Sequence, residues 1–441
     1  MKAFVLLYIS LFLIFLLGCP LPEDNRISNK ISDVNVMSGF VLPSKIFIDK
    51  LTDNLYVFDK SKGVYKIPLS KIDTSSNSNL SDITSDLLKP ENSVTYYNIN
   101  SQEMQTKTDI YFYTVDFCVI NDGSNNVFYS IVKANFDPDK KNDNDDNGKG
   151  TQFAGTDWYY IYMYKDASNY DLQPLSYVPD SSTDVNYKTD SSSYVANSIY
   201  VIKNAIYLSC GANEKALRYI QLKDDYTISE NFRQNKITGF FERVYATYEN
   251  APFKGIINSG KVIATDESPS YIFLTSKDDI SKGIFVYKDE NPSDYKSIKQ
   301  FKTNIKFPDN VYPYNISLNP FNKHEFFFSS ANNIYNIDIS KINSKEDTPV
   351  IEVLPTFFSE KKSINNFYIF EDTSTGKKKI ACSIYNSKTI PDSTEIKIFD
   401  LETKSEEKSI LVEGLLSYML VYNGCFYGTN ESTGKLIIKK L

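Results

Sequence analysis

The chain has 441 residues, 48 Lys and Arg against 55 Asp and Glu, and a net charge of −7. That length exceeds one ordinary domain and is ample for a large core. The charge is mildly negative and dispersed, and arginine occurs only at Arg26, Arg218, Arg233 and Arg243, which argues against a nucleic-acid reader and against an electrostatic grip on anionic lipid.

Lys2 precedes an apolar run from Ala3 to Leu17. The run has the length of a signal-peptide core and is short for a membrane span. It stops at Leu16-Leu17-Gly18-Cys19, which resembles the lipobox of bacterial lipoproteins. In that family a transferase places a diacylglycerol on the Cys sulfur and a peptidase cuts just before the Cys. The resemblance therefore implies lipidation of Cys19 and peptidase recognition of Leu16, Leu17 and Gly18. Leu17 is bulkier than the usual Ala or Ser, a relaxed form similar to that of spirochaetes. Their AT-rich genomes also give chains heavy in Lys, Asn, Ile and Tyr. The implied address is the outer membrane, at the cell surface or at the periplasmic face. An uncleaved anchor helix with a chance Cys is the competing reading.

Residues 1–18 are thus expected to be a signal peptide, and residues 19–38 a lipidated Cys and a flexible tether. A flexible chain of that length has a root-mean-square reach of about 25 Å. Two or more acyl chains on Cys19 anchor stably where one does not. Residues 39–441 are left for the folded domain.

Helical periodicity is nearly absent. "SDITSDLLKP" at 81–90 predicts one or two helical turns from Ser81, stopped by Pro90. Elsewhere short alternating runs are separated by turn residues, the all-β signal. At 45–72 the order is "KIFID", "LYVFD", "VYKIPLSKI"; at 270–300 it is "SYIFLTS", "IFVYKD". At 311–342 it is "YNISLNP", "EFFFSS", "IYNIDISKI", and 363–412 repeats it around "KIACSIYN" and "EIKIFDLET". Stretches 115–177, 197–229 and 416–441 fit the same scheme. In each, the second strand ends in small or polar residues.

A period near fifty residues in up-and-down strands is the mark of a β-propeller, whose sheets bury each other around an axis. About seven four-stranded blades are expected. The last unit looks one strand short, and "NVMSGFVL" at 35–42 is placed to supply it and close the ring. A β-sandwich pair or another repeat all-β fold is the alternative. Over roughly residues 35–441 the pattern resembles propeller-bearing bacterial lipoproteins. It lacks the WD dipeptide, the kelch double Gly, YWTD, the sialidase Asp box and the quinoprotein Trp motifs, so no subfamily is carried over.

Candidate chemistry is sparse. "DNDDNG" at 143–148 fits the first half of a calcium loop, with Asp143, Asp145, Asn147 and the Lys149 carbonyl as ligands. Ala154 stands where a bidentate Glu is needed, so a weak site or a merely solvated hairpin tip is expected. "DWYYIYMYK" at 157–165 puts Trp158, Tyr160, Tyr162 and Tyr164 on one strand face, either a recognition surface or a buried central strand. The Ser- and Asp-rich stretch 178–194 reads as a connection between units. His324, the one histidine, is expected to be an exposed turn residue. A triad needs a His placed by a third group and a zinc site needs several His or Cys, so a lone turn His disfavours hydrolase triads and zinc enzymes. Cys118, Cys210, Cys382 and Cys425 have no metal-ligand spacing; reduced buried thiols are expected, with one or two disulfides as the alternative.

These readings favour a membrane-anchored, non-catalytic binding lipoprotein without a cofactor, its loops presented to a macromolecule. The spirochaete resemblance implies surface display, with host or environmental macromolecules as partners. One alternative is a periplasm-facing scaffold similar to the propeller lipoprotein of the outer-membrane assembly machine. A propeller lyase or glycosidase is the other.

Overall fold

The computed structural model describes residues 27–28, 34–83, 85–88, 93–98, 103–108, 112–121, 126–134, 158–165, 169–174, 195–202, 205–211, 217–222, 224, 226, 259–265, 270–276, 284–290, 298–300, 313, 315–330, 332–341, 358–359, 363–386, 389–390 and 392–441. The alternation of apolar and polar residues becomes antiparallel sheet almost throughout. The first sheet runs Pro43–Asp49, Asn54–Asp59, Gly63–Pro68, Asp86–Leu88. The second runs Phe112–Asn121, Asn126–Ala134, Trp158–Lys165, Asn169–Pro174. The third runs Val195–Ile202, Ala205–Gly211, Leu217–Gln221. The fourth runs Ser259–Ala264, Ser270–Ser276, Ile284–Asp289, Ile298–Gln300. The fifth runs Asn315–Asn319, Asn322–Ser330, Asn333–Asp338, Phe358–Ser359. The sixth runs Ile364–Asp372, Lys377–Asn386, Ser393–Asp400, Glu406–Glu413.

The closing sheet joins the two ends of the chain. Tyr418–Tyr422, Cys425–Asn430 and Lys435–Lys440 are followed by Asn35–Ser38, which pairs antiparallel with the last of them. Ser78–Asn79 adds a fifth strand outside it. The closure expected from "NVMSGFVL" is present.

First strands of successive sheets lie side by side. Phe112–Asn121 meets Val195–Ile202, which meets Ser259–Ala264, and so on through Asn315–Asn319, Ile364–Asp372 and Tyr418–Tyr422 back to Pro43–Asp49. Lys45 of the first sheet completes the circuit by its ion pair with Asp116 of the second. This is a β-propeller, with the first strands around the axis. Among the described residues five sheets are four-stranded blades, against the about seven anticipated; two more, of three and five strands, share their strand order. The five-stranded sheet exceeds four because the long third-to-fourth connection of the first sheet lends it Ser78–Asn79.

The core lies between sheets. Tyr56, Phe58, Phe117 and Phe128 fill the first seam, and Val127, Tyr129, Ile199 and Leu208 the second. Phe273 packs on Phe326 with ring centroids 4.5 Å apart. Tyr56, Tyr129 and Tyr207 are among the largest fully buried side chains. The tyrosine of the second strands is therefore core. Two buried hydroxyls reach out: Tyr129 donates to the Tyr226 carbonyl at 2.5 Å and Tyr207 to Asp289 Oδ2 at 2.7 Å.

The helical expectation at 81–90 needs correction. Leu80–Asp82 is a single 3-10 turn, capped where Asn79 Oδ1 accepts from the Ser81 N–H at 3.1 Å, and Asp86–Leu88 is strand. Leu88 is buried in the first seam, and that burial outweighs local propensity.

Candidate functional site: the axial belt and the loop face

Five of the first strands carry a β-bulge near their start. The register slips between Pro43 and Lys45, Thr114 and Asp116, Ala196 and Ser198, Ser259 and Val262, and Ile364 and Asn366. A bulge inserts a residue whose backbone groups the ladder leaves unpaired. In this chain side chains of the preceding sheet supply the missing donors. Thr429 Oγ1 donates to the Ser44 carbonyl at 2.9 Å, Ser209 Oγ to the Gly260 carbonyl at 2.6 Å, and Asn315 Nδ2 to the Asn365 carbonyl.

The other seams use the same level of the axis. Asn366 Nδ2 donates to the carbonyls of Leu416 and Ser417 at 3.2 and 3.1 Å. Lys45 Nζ donates to the Phe117 carbonyl at 3.2 Å and pairs with Asp116 Oδ1. Asp116 Oδ2 accepts from the Ile199 N–H at 3.1 Å. Six seams thus have a side-chain-to-backbone bond between neighbouring sheets, and at the fourth-to-fifth Phe273 meets Phe326. The hydroxyls ending the second strands have a second use: the Lys261 N–H donates to Thr275 Oγ1 at 2.8 Å, and the Asn366 N–H to Ser383 Oγ at 3.0 Å. Asn366→Ala is expected to destabilise the chain by about 1–3 kcal/mol, because two carbonyls lose their donor. Denaturant titration against Ser374→Ala, on an exposed turn, reads that difference.

The electrostatics of the belt favour holding over proton transfer. Burial pushes the Asp116 carboxyl up, but the charges of Lys45 and Lys261, the Lys45 bond and the Ile199 N–H outweigh it, and its pKa lies below the ordinary range. The group is ionised at neutral pH. Burial raises the Cys118 thiol, which stays protonated. Burial, with Asp116 and Cys118 adding, pushes Tyr418 up to about 12.

The belt lies near one rim, because the bulges fall where the first strands begin. We term this rim the loop face and the opposite rim the turn face. Up-and-down order puts every second-to-third and fourth-to-first connection on the loop face, and every first-to-second and third-to-fourth connection, 69–85 and 339–357 included, on the turn face. The first-to-second turns are short, as at Leu51–Asn54, Asp372–Gly376 and Tyr422–Cys425. The loop face receives connections 89–111, 135–157, 175–194 and 301–314. The first of these contains the hairpin Ser93–Asn98 with Glu103–Thr108. Lys60 of the first sheet and Glu431 of the closing sheet pair across this face at 2.8 Å.

Cys19, Leu16, Leu17 and Gly18 lie outside the described residues, as do Asp143, Asp145, Asn147 and Lys149. Among the described residues no group of His, Cys, Asp and Glu is placed to hold a metal ion. No helix among the described residues is long and apolar enough to cross a membrane. Trp158–Lys165 is the third strand of the second sheet, its side chains outside the description. His324 is half-buried near the start of a second strand, its N–H donating to Asn322 Oδ1, rather than exposed in a turn. That strand starts at the turn face, away from the belt. Among the described residues Cys118, Cys382 and Cys425 are not joined in disulfides; Cys382 is buried and the other two half-buried.

Sequence reasoning missed Lys45, Asp116, Asn315 and Asn366. The available signal was a polar residue at the head of each first strand, in "SKIFID", "VDFCVI", "YNISL" and "NNFYIF".

No protein-family model and no curated protein sequence matches the chain. Solved structures do resemble it. The β-propeller domain of Cps50 (Swd1) from Myceliophteria thermophila aligns with a TM-score of 0.50 at 9% identity, over 93% of this chain and 100% of that one. Raptor of Chaetomium thermophilum aligns with a TM-score of 0.49 at 10% identity, over 92% of this chain and 28% of Raptor's, so the chain spans under a third of that protein's length. The Dos1 propeller aligns with a TM-score of 0.47 at 10% identity, over 92% and 94% of the two chains. An identity this low bears on fold alone, and the fold of the Cps50 (Swd1) domain is the β-propeller.

Proposed function

We propose that this chain is a membrane-anchored lipoprotein that binds a macromolecular partner through the loop face, without catalysis. The observation that carries the reading is the asymmetry of the disc. Among the four-stranded sheets, four connections of 14 to 23 residues, 89–111, 135–157, 175–194 and 301–314, join strand ends on the face beneath which the axial belt ties the sheets together, against two of 17 and 19 residues, 69–85 and 339–357, on the turn face. Rigid scaffolds with elaborated loops on one side are the usual layout of a binding surface. The axis offers an ionised, doubly bonded carboxylate and a protonated thiol, a set fitted to fixing strands. The dispersed negative charge suits a protein partner better than nucleic acid.

Replacing 137–156 and 178–194 by short Gly-Ser linkers tests this reading. Circular dichroism and the melting midpoint are expected to stay near those of the parent. Envelope proteins crosslinked to the parent in intact cells are expected to be lost. Unchanged capture by the shortened variant contradicts binding through the loop face.

A further inference from the structure

Part of the leg ahead of the propeller is built into it. Ile27 and Ser28 pair in parallel with Thr389 and Ile390. Those partners lie in the second-to-third connection of the sixth sheet, so this contact is on the loop face. Val34 packs against the cluster that holds Phe370 and Leu441. That cluster runs the height of the seam, from Leu416 on the loop face to Leu441 on the turn face, so the rim at which Val34 stands is set by its chain neighbour Asn35. Asn35 then opens the closing strand from the turn face. Ser28 and Val34 therefore stand at opposite rims of one seam, between the sixth and closing sheets. The backbone between them spans about 20 Å when extended, matching the thickness of a blade with strands of six residues.

The contact decides where the leg leaves the disc. A leg free up to Asn35 departs from the turn face, and its lipid lies on that side. A leg held at Ile27 departs from the loop face, with only residues 19–26 between the disc and Cys19. A flexible stretch that long has a root-mean-square reach of about 15 Å, less than the breadth of a propeller, so the disc cannot turn over freely. Resting on the lipoprotein reading above, we propose that the pairing of Ile27–Ser28 with Thr389–Ile390 turns the loop face toward the membrane that holds Cys19. The partner it meets is then a protein standing in that same membrane, which favours the envelope scaffold over the host-facing receptor.

Two experiments separate the contact from the anchor. In the unlipidated Cys19→Ala chain, with Cys118, Cys210 and Cys425 changed to Ser and Cys382 to Ala, Ile27→Cys is combined with Thr389→Cys or with Ser374→Cys on the turn face. Oxidation is expected to link 27 to 389 and leave 27 and 374 apart; a 27–374 link, or no 27–389 link in a chain that melts cooperatively, overturns the contact. A photo-crosslinking residue at position 27 of the chain with its cysteines intact gives a second readout, with adducts expected in 387–392 and adducts in 373–376 contradicting it.

The acylated full chain in phosphatidylcholine vesicles then carries a fluorophore at Lys62→Cys on the loop face or Ser374→Cys on the turn face. Quenching by spin-labelled lipid is expected to be several-fold stronger at 62, and to reverse when Ile27→Pro and Ser28→Pro remove the leg's N–H donors. Stronger quenching at 374 with an intact leg overturns the orientation while leaving the anchor standing. Failure of the chain to take up palmitate overturns anchor and orientation together and leaves the 27–389 contact standing.

Discussion

Met37→Ala is expected to lower folding stability by about 2–5 kcal/mol, the range for deleting a buried Met side chain. Met37 is fully buried, pairs in register with Leu436, and packs among Phe40, Leu55 and Leu420. It belongs to the strand that pairs the first part of the chain with the third strand of the closing sheet, so its loss loosens the ring as well as one sheet. The outer side of that strand is tied too. Asn35 Nδ2 donates to the Thr74 carbonyl at 2.5 Å and the Val36 N–H to Asn77 Oδ1 at 2.9 Å. The following chain is held just as closely. A Cβ at Gly434, whose φ is +66°, would meet the Phe40 carbonyl oxygen at 2.4 Å, so a side chain there forces the closing turn apart. Urea titration of parent and variant measures the effect. A cost below about 0.5 kcal/mol, the level of an ordinary surface change, would mean that Asn35–Ser38 does not close the ring.

Asp116→Asn is expected to cost about 3 kcal/mol at neutral pH. Removing one partner of a buried ion pair leaves an uncompensated charge, worth about 3–5 kcal/mol. The partial exposure of Lys45 keeps the figure at the low end. The pH dependence has a definite sign. A carboxyl whose folded pKa lies below its unfolded value, about 3.9 for Asp, stabilises the fold above that value and loses the effect as pH falls through the folded one. Parent and variant should therefore differ by a constant amount from about pH 5 to 8 and converge in stronger acid. Denaturation midpoints at a series of pH values check this. A difference that persists unchanged to about pH 2 would assign the loss to shape rather than charge.

The fold was legible where chemistry is local. Short apolar runs bounded by turn residues, as in "LYVFD" or "EFFFSS", read as buried strands, and the unmatched last unit pointed to Asn35–Ser38 as its missing strand. The 81–90 stretch was misread because burial of Leu88 against the second sheet is a tertiary fact. The axial belt was not legible for the same reason. Each link joins positions far apart in the chain, such as Asn315 with Asn365 and Thr429 with Ser44. One polar residue at the head of a strand looks like any exposed residue until the neighbouring bulge shows which carbonyl it serves. The hydroxyls ending the second strands were visible as a repeat, but their role needed the register slips to explain it.

Uptake of labelled palmitate by the parent chain and by Cys19→Ala, followed by membrane fractionation, tests the central claim most directly. The account predicts label and membrane association for the parent and neither for the variant, which should accumulate as unprocessed precursor. A Cys19→Ala chain that still takes up label, or a parent chain that takes up none, would contradict it.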